Sequence, residues 1–393
     1  MTYPPEPASQ LHELMASLHK QYNSEVSVIT SVPSYPIGKI YSGFKNVFDI
    51  SIKDGVKIYR GPVVPSQSKS LAIRFLYYLS NLVSTIFILF FRQSKKDEIY
   101  IIYQPPVSSF LAFYFFQIFK KRKFIFWIND MWPETLMNYG LNNYLLVNFI
   151  EYLYKKIYKR ASKIIVISRG FKDLLIKKGV DSNKIEVIYN WYSGTKSNII
   201  SNKSQNTIFK LLYTGNLGKF QNLETAVIAV QIVQSKGYHI SFEIFGQGTE
   251  FDSLNKLISR LHLNECVKLR GRIEHDKVFH ELINSDLLFV QLIPNDLFSK
   301  TIPHKIYEYM ASGRPILGAL QGDAAEEIIN ARCGIVCKPN YPSAIAESLI
   351  QMLELSENLR DNLGKNGQKF VFEQRNLNFA CQQFYSILTF IQS

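Results

Sequence analysis

The segment Ser299-Lys-Thr-Ile-Pro-His-Lys-Ile-Tyr-Glu-Tyr-Met-Ala-Ser-Gly-Arg-Pro315 sets a cation and a carboxylate one helical turn apart. It reads as a polar loop, a helix and a glycine stop before a buried strand. Pro303 suits a first turn, where a missing N–H costs nothing. Gly313 suits the position just past the last turn, and Pro315 bars continuation. Lys305 stands at the mouth of this helix, where unpaired N–H groups and the dipole favour an anion. One turn on, Glu308 is placed to accept hydrogen bonds from hydroxyls. Phosphate at one end and a diol at the other describe a sugar nucleotide. His304 is either a further donor to that ligand or an exposed loop residue.

Other residues extend this chemistry. Gly215-Asn-Leu-Gly218 follows an apolar strand and precedes a helix, so its amides can face a pyrophosphate, although a plain βα turn has the same form. Lys219 and Arg272 add positive charge, and Gly246 and Gly248 shape a second turn. Asp323 and Glu326 suit a helix cap and first turn. Asp130 ends another apolar strand ahead of Pro133. It is either an N-cap or a carboxylate that accepts a hydrogen bond or proton from a reacting hydroxyl. Glu134 is a second acid beside it, and Pro5, Glu6 and Gln104 belong to loops expected to line the same cleft. No Asp-x-Asp pair or His/Glu cluster suggests a metal.

These residues need a frame of strands and helices. Short β-rich runs at 26–30, 99–103, 124–128 and 163–167 alternate with helical segments, as do runs near 209–213, 240–245, 266–269, 286–292, 315–318 and 334–336. Near-continuous apolar strands between helices indicate parallel sheets covered on both faces. At 393 residues the chain exceeds one ordinary core. The polar stretch Ser193 to Thr207 reads as a linker. The expected domains are residues 1–195, residues 196–376 and a final helix, 377–393, crossing back to the first. Two doubly wound domains place ligands at the carboxyl ends of their strands.

Charge is unevenly placed. The net +13 belongs to residues 1–200, with 26 Lys/Arg against 13 Asp/Glu, while residues 201–393 hold 19 of each. No nucleic-acid motif accompanies the basic clusters Lys120-Lys-Arg-Lys123 and Lys155-Lys-Ile-Tyr-Lys-Arg160. An anionic membrane surface fits better, because the same half holds apolar runs at Phe75–Phe91 and Val107–Phe119. The first falls at the short edge of a span and carries Ser80, Asn81, Ser84 and Thr85, which favours a buried or surface helix. Four dispersed cysteines give no zinc or disulfide pattern and point to a reducing compartment. No secretory signal is present at the start of the sequence.

The segment around Lys305 resembles the donor-binding signature of glycosyltransferase family 4. So do Leu212-Tyr-Thr-Gly-Asn-Leu-Gly-Lys-Phe-Gln-Asn-Leu223, Glu243-Ile-Phe-Gly-Gln-Gly248 and Leu269-Arg-Gly-Arg272, in the expected order. Phe126-Trp-Ile-Asn-Asp-Met-Trp-Pro-Glu134 is similar to an acceptor-side loop in a subgroup that makes bacterial surface polysaccharides and transfers acetamido-deoxy sugars. The resemblance implies an α/β GT-B fold, two Rossmann-like domains facing a cleft. It implies a retaining, metal-independent transferase with no cofactor, moving a hexosyl or N-acetylhexosaminyl unit from a UDP-sugar, and the basic, apolar first domain points to a lipid-linked (polyprenyl diphosphate) glycan as acceptor. The setting would be O-antigen or capsule synthesis at the cytoplasmic face of the inner membrane, with peripheral or monotopic attachment. In that reading Lys305 holds phosphate, Glu308 the ribose and Asp130 the acceptor.

The sequence departs from the family pattern in places. Asn216 and Gln221 replace the Arg and Lys of a phosphate clamp, which shifts charge neutralisation to Lys305 and Arg272. Lys300 replaces an acid eight positions before Glu308, and Asn129 replaces a histidine. The opening Met1-Thr-Tyr-Pro-Pro-Glu-Pro-Ala-Ser9 matches the loop after the first strand, so either the start is misassigned or the domain tolerates a shortened strand. Two alternatives stay open: a sugar-nucleotide epimerase of the same fold, and a non-catalytic subunit that binds membrane or a partner.

Overall fold

The computed structural model describes residues 3–6, 10–66, 70–104, 107–138, 140, 143–194 and 208–393. Residues 195–207 of the expected linker and the pair Pro105-Pro106 lie outside them. The chain forms two units: Met1–Ile167, Phe171–Tyr189 and Leu377–Ser393 make the first, Ser168–Gly170 and Asn190–Asn376 the second.

The strands of the first unit are β1 (Ser27–Ser31), β2 (Asp49–Lys53), β3 (Val56–Gly61), β4 (Tyr100–Gln104), β5 (Phe124–Ile128), β6 (Lys163–Val166) and β7 (Ile185–Val187). Among them run α1 (Gln10–Tyr22), α2 (Leu71–Phe91), α3 (Val107–Phe119), α4 (Glu134–Asn138), α5 (Tyr144–Arg160) and α6 (Arg169–Lys177), whose first two residues group with the second unit. β4-β5-β6-β7 is a parallel sheet, and all five residues of β5 are buried, as a doubly covered strand requires. β1 sits instead in a separate sheet of order β1-β3-β2, where β2 runs antiparallel to β3. This hairpin was not expected. Asp54 and Gly55 both take positive φ, 51° and 78°, giving the two-residue turn whose twist suits paired strands, with Lys53 opposite Val56. β2 is mostly exposed, so it lacks the apolar run that marks the other strands.

No helix among the described residues is long and apolar enough to cross a membrane. The polar residues of α2 serve packing: Asn81 accepts from Ser108 of α3 at 2.8 Å, and Ser84 donates to the Pro62 carbonyl. Its opposite stripe, Phe75, Leu79, Val83, Phe87 and Phe91, is exposed.

The second unit holds one six-stranded parallel sheet, of order β10-β9-β8-β11-β12-β13. Its elements are β8 (Phe209–Thr214), α7 (Glu224–Ser235), β9 (Ile240–Phe245), α8 (Phe251–Arg260), β10 (Val267–Gly271), α9 (His275–Ile283), β11 (Leu287–Gln291), α10 (Lys305–Ala311), β12 (Ile316–Ala319), α11 (Asp323–Asn330), β13 (Gly334–Cys337), α12 (Pro342–Glu354) and α13 (Glu357–Gln374). The order reverses between β8 and β11, the switch point at whose carboxyl ends a doubly wound sheet binds ligands. The last helix, α14 (Leu377–Gln392), belongs to the first unit: Phe384 packs on Trp127 with centroids 5.3 Å apart, and Tyr385 stacks on Tyr22 at 3.8 Å.

Candidate active site

Gly215 follows β8 and Lys305 follows β11, so the two come from the strands that flank the switch point. α10 has only seven residues and begins at Lys305 itself, so the lysine acts through its side chain more than through a long helix dipole. Its ammonium donates to the Thr214 carbonyl at 2.7 Å and the Tyr213 hydroxyl at 3.0 Å, and lies 4.0 Å from the Tyr213 ring centroid. A Cβ on Gly215 would stand 2.4 Å from Nζ, so only glycine lets the amine rest there. Burial pushes the Lys305 amine down to about 7, against a smaller upward pull from Glu308. Tyr309, one turn along α10, braces the same strand end: its hydroxyl accepts from the Thr214 N–H at 2.9 Å. Burial pushes that hydroxyl up to about 12.

The glycine loops are stapled to each other. Gly215 N–H donates to Phe245 O (2.9 Å), Leu217 N–H to Gln247 O (2.9 Å) and Gly246 N–H to Gly271 O (2.8 Å). A Cβ on Gly246 would lie 1.8 Å from Gly215 O, and one on Gly248 2.2 Å from Leu217 O. These two glycines therefore allow backbone to approach backbone. The Gly218 N–H is taken by the Gln221 side chain at 3.1 Å. The expectation that the amides of Gly215 to Gly218 face a pyrophosphate is thus corrected at three of the four positions: they are spent on holding the loop. Asn216 and Lys219 are exposed, as is Arg272 just past β10, while the Asn216 carbonyl accepts from Tyr213 at 2.7 Å.

Glu308 lies 3.5 Å from His304 Nδ1, and His304 Nε2 is 3.1 Å from the Trp191 carbonyl. The Tyr192 hydroxyl is pushed up first by burial and then by Glu308, which places that carboxylate's field beside it. His304 is therefore a tether between Glu308 and the Trp191 backbone. Lys300, at the position of the missing acid, is paired with Asp296. Asp323 is the first residue of α11 and accepts from the Gly170 N–H at 2.6 Å.

In the first unit Asp130 lies two residues past the end of β5 and is partly buried. Desolvation alone raises its carboxyl above the ordinary range. It caps no helix, since α4 starts four residues later and no hydrogen bond reaches its carboxylate among the described residues. Tyr103, pushed up to about 12 by burial and then by Asp130, lies close to it. Gln104 is fully buried and donates to the Tyr154 hydroxyl at 2.6 Å, while Asn129 donates to the Gln104 carbonyl at 2.8 Å. Glu134 is ion-paired with Lys178, which also reaches Glu151 at 3.2 Å. Glu6 is buried with its carboxylate on the N–H groups of Ser34 (2.6 Å) and Tyr35 (2.7 Å), and Pro5 is exposed beside it. Gln104, Glu134 and Glu6 thus each hold a partner within the fold, while Gln104 Oε1 and Glu134 Oε2 are buried without one among the described residues.

Sequence reasoning missed Tyr213 and Tyr309, and it read Gln221 as a lost clamp residue without seeing that its side chain takes the Gly218 N–H. A signal existed for both: Tyr309 stands four residues from Lys305 on one helix face, and Tyr213 is a hydroxyl near the end of an apolar strand.

The family model described as "Glycosyltransferase Family 4" matches residues 9–193, and that described as "Glycosyl transferases group 1" matches residues 195–370. The chain belongs to glycosyltransferase family 4 and has the GT-B fold. It is 24% identical over 288 residues to an uncharacterized glycosyltransferase of Methanocaldococcus jannaschii, covering 71% of each chain. It is 27% identical over 250 residues to a Pseudomonas aeruginosa protein named "Probable glycosyltransferase WbjE", covering 59% of this chain and three fifths (60%) of that one. Among solved structures it is similar to Anabaena HepE in complex with UDP, with a TM-score of 0.63, 15% identity, and coverage of 85% of this chain and 86% of that one.

Proposed function

We propose that this protein is a retaining glycosyltransferase that moves a hexosyl or N-acetylhexosaminyl unit from a UDP-sugar to a lipid-linked glycan in bacterial surface-polysaccharide synthesis. The observation that carries this reading is the Lys305 ammonium, held against the Gly215 turn at the switch point of the second unit. A diphosphate arriving there offers the amine a better partner than a carbonyl and a phenol. UDP is favoured because HepE, of the same fold, binds it. Departure of the nucleotide leaves charge on the diphosphate, and Lys305 is the fixed cation that meets it. Metal is not required in this scheme, and EDTA should leave turnover unchanged. Glu308 takes the ribose hydroxyls, and Asp130, with its raised carboxyl, takes the proton or hydrogen bond of the acceptor hydroxyl.

A lipid-linked acceptor agrees with the basic, apolar first unit and with the loop from Phe126 to Glu134. Attachment would be peripheral, through the exposed stripe of α2, at the cytoplasmic face of the inner membrane. The deciding test is calorimetric titration with UDP and GDP, with Lys305→Ala as control. Selective UDP binding, weakened at least about tenfold (~1.4 kcal/mol) by the substitution, is expected. Absence of nucleotide binding in folded protein overturns the reading.

A further inference from the structure

β2 is the outer strand of the sheet β1-β3-β2, hydrogen-bonded to β3 on one side, and no described strand pairs with its other side. Four of its five residues are exposed, and Ser51 between them is partly buried. Phe48, just before it, is exposed and lies against the exposed Phe87 of α2, with ring centroids 4.7 Å apart. A bare strand edge offers unpaired N–H and C=O groups to any strand that matches it, and a proline or a bulge commonly blunts it. β2 has neither. Its pairing to β3 is regular from Asp49↔Arg60 to Lys53↔Val56, and Asp49-Ile-Ser-Ile-Lys53 carries one charge of each sign at its two ends.

The hairpin fixes which residues aim their backbone groups outward. With a two-residue turn, the flanking pair exchanges both its hydrogen bonds, so Lys53 with Val56, Ser51 with Ile58 and Asp49 with Arg60 are the bonded pairs. The N–H and C=O groups of Ile50 and Ile52 therefore point to the open side. An antiparallel copy of β2 centred on Ser51 sets Ile50 opposite Ile52 of that copy, and Ile52 opposite its Ile50. Both become bonded pairs, so these four outward groups are satisfied on each chain. The same register sets Asp49 against Lys53 at each end, in the non-bonded pairs where side chains come closest. A parallel copy in register would instead set Asp49 beside Asp49 and Lys53 beside Lys53.

We propose that this protein forms a symmetric dimer in which β2 pairs antiparallel with β2 of a second copy, centred on Ser51. The strand is its own complement in charge and in hydrogen bonding, which is what a two-fold contact demands. That axis stands normal to the sheet, so Phe48, Ile50 and Ile52 of both copies fall on one side, together with both α2 stripes. The pairing thus leaves α2 open to the membrane contact proposed above. Two five-residue strands bury less than a standard interface, so the dimer is a weak one that forms as concentration rises.

The test is sedimentation equilibrium of the 393-residue chain and its variants over a dilution series, with the thermal midpoint as a check on folding. The chain should dimerise reversibly. Lys53→Asp sets like charges across both ends and should weaken the dimer at least about tenfold, as should Asp49→Lys. Mixed in equal amounts, those two variants meet opposite charges again and should pair with each other. The double exchange should dimerise like the starting chain. Burial lowers the Arg60 guanidinium while Glu6 and Asp49 pull it back up, so Lys53→Asp is the cleaner single change. Ile50→Pro removes an outward N–H without touching the β3 ladder, and should abolish the dimer with the midpoint nearly unchanged. A chain that stays monomeric throughout overturns the proposal. So does a dimer indifferent to both reversals, or a mixture that forms no heterodimer.

Discussion

Lys305 sets the behaviour of the donor site. An amine held down at about 7 is largely neutral at about pH 8, and a bound diphosphate restores its charge, so binding must take up a proton. Calorimetry at about pH 8 in buffers of different ionisation enthalpy should show uptake approaching one proton per UDP, fading towards about pH 6. Lys305→Met should abolish the uptake. The same amine acts on stability. Unfolded lysine titrates near ~10.4, so between that value and 7 the unfolded chain binds the extra proton, and this residue's contribution to stability rises with pH across the window. Tyr309→Phe leaves the Thr214 N–H without its acceptor in a buried place. It should cost about 1–3 kcal/mol in urea unfolding of the second unit and loosen Lys305.

At the scale of elements, the second unit's site depends on how closely three strand-end loops approach. Gly246→Ala puts a methyl 1.8 Å from Gly215 O at φ +156° and should abolish UDP binding and lower the unfolding midpoint by several degrees. Gly271→Ala meets no atom within 4 Å and bears only the strain of φ +71°, about 1 kcal/mol, so UDP binding should survive. Much of this frame was legible. The alternation of apolar strands and helices marked the parallel sheets, and Lys305 declared itself by its place between Pro303 and Gly313. Other features were hidden for physical reasons. Which amides a glycine loop spends on its neighbour is decided by strands thirty residues away, as with Gly215 and Phe245. The β2–β3 hairpin was signalled by Asp54-Gly55, yet its exposed strand carried no apolar run to draw attention. Glu6, Gln104 and Glu134 looked free because the Ser34, Tyr154 and Lys178 groups that occupy them are distant in sequence.

Over the whole molecule, the excess of positive charge lies in the first half of the chain, as does the exposed apolar stripe of α2. Vesicles rich in phosphatidylglycerol should sediment the protein and neutral vesicles much less, and high salt should release only part of it, since the apolar share is unscreened. Replacing the exposed Val83 and Phe87 with Ser should weaken vesicle binding while leaving the thermal midpoint nearly unchanged. Unimpaired binding by that variant would remove α2 from the membrane contact.

The return of α14 to the first unit bears on how the protein is made. A ribosome adds roughly 5–20 residues each second from the amino end, and units ordinarily fold in the order they emerge. Here that order is inverted. The second unit, ending at Asn376, has all its residues while the first still lacks Phe384, the cover for Trp127. The earliest-synthesised unit must wait for the last residues, its apolar face open for the whole time the other is being translated. A nascent chain stalled after Asn376 should therefore carry a protease-resistant second unit and a sensitive first one, and the interval between them is when a chaperone or a lipid surface has its best access.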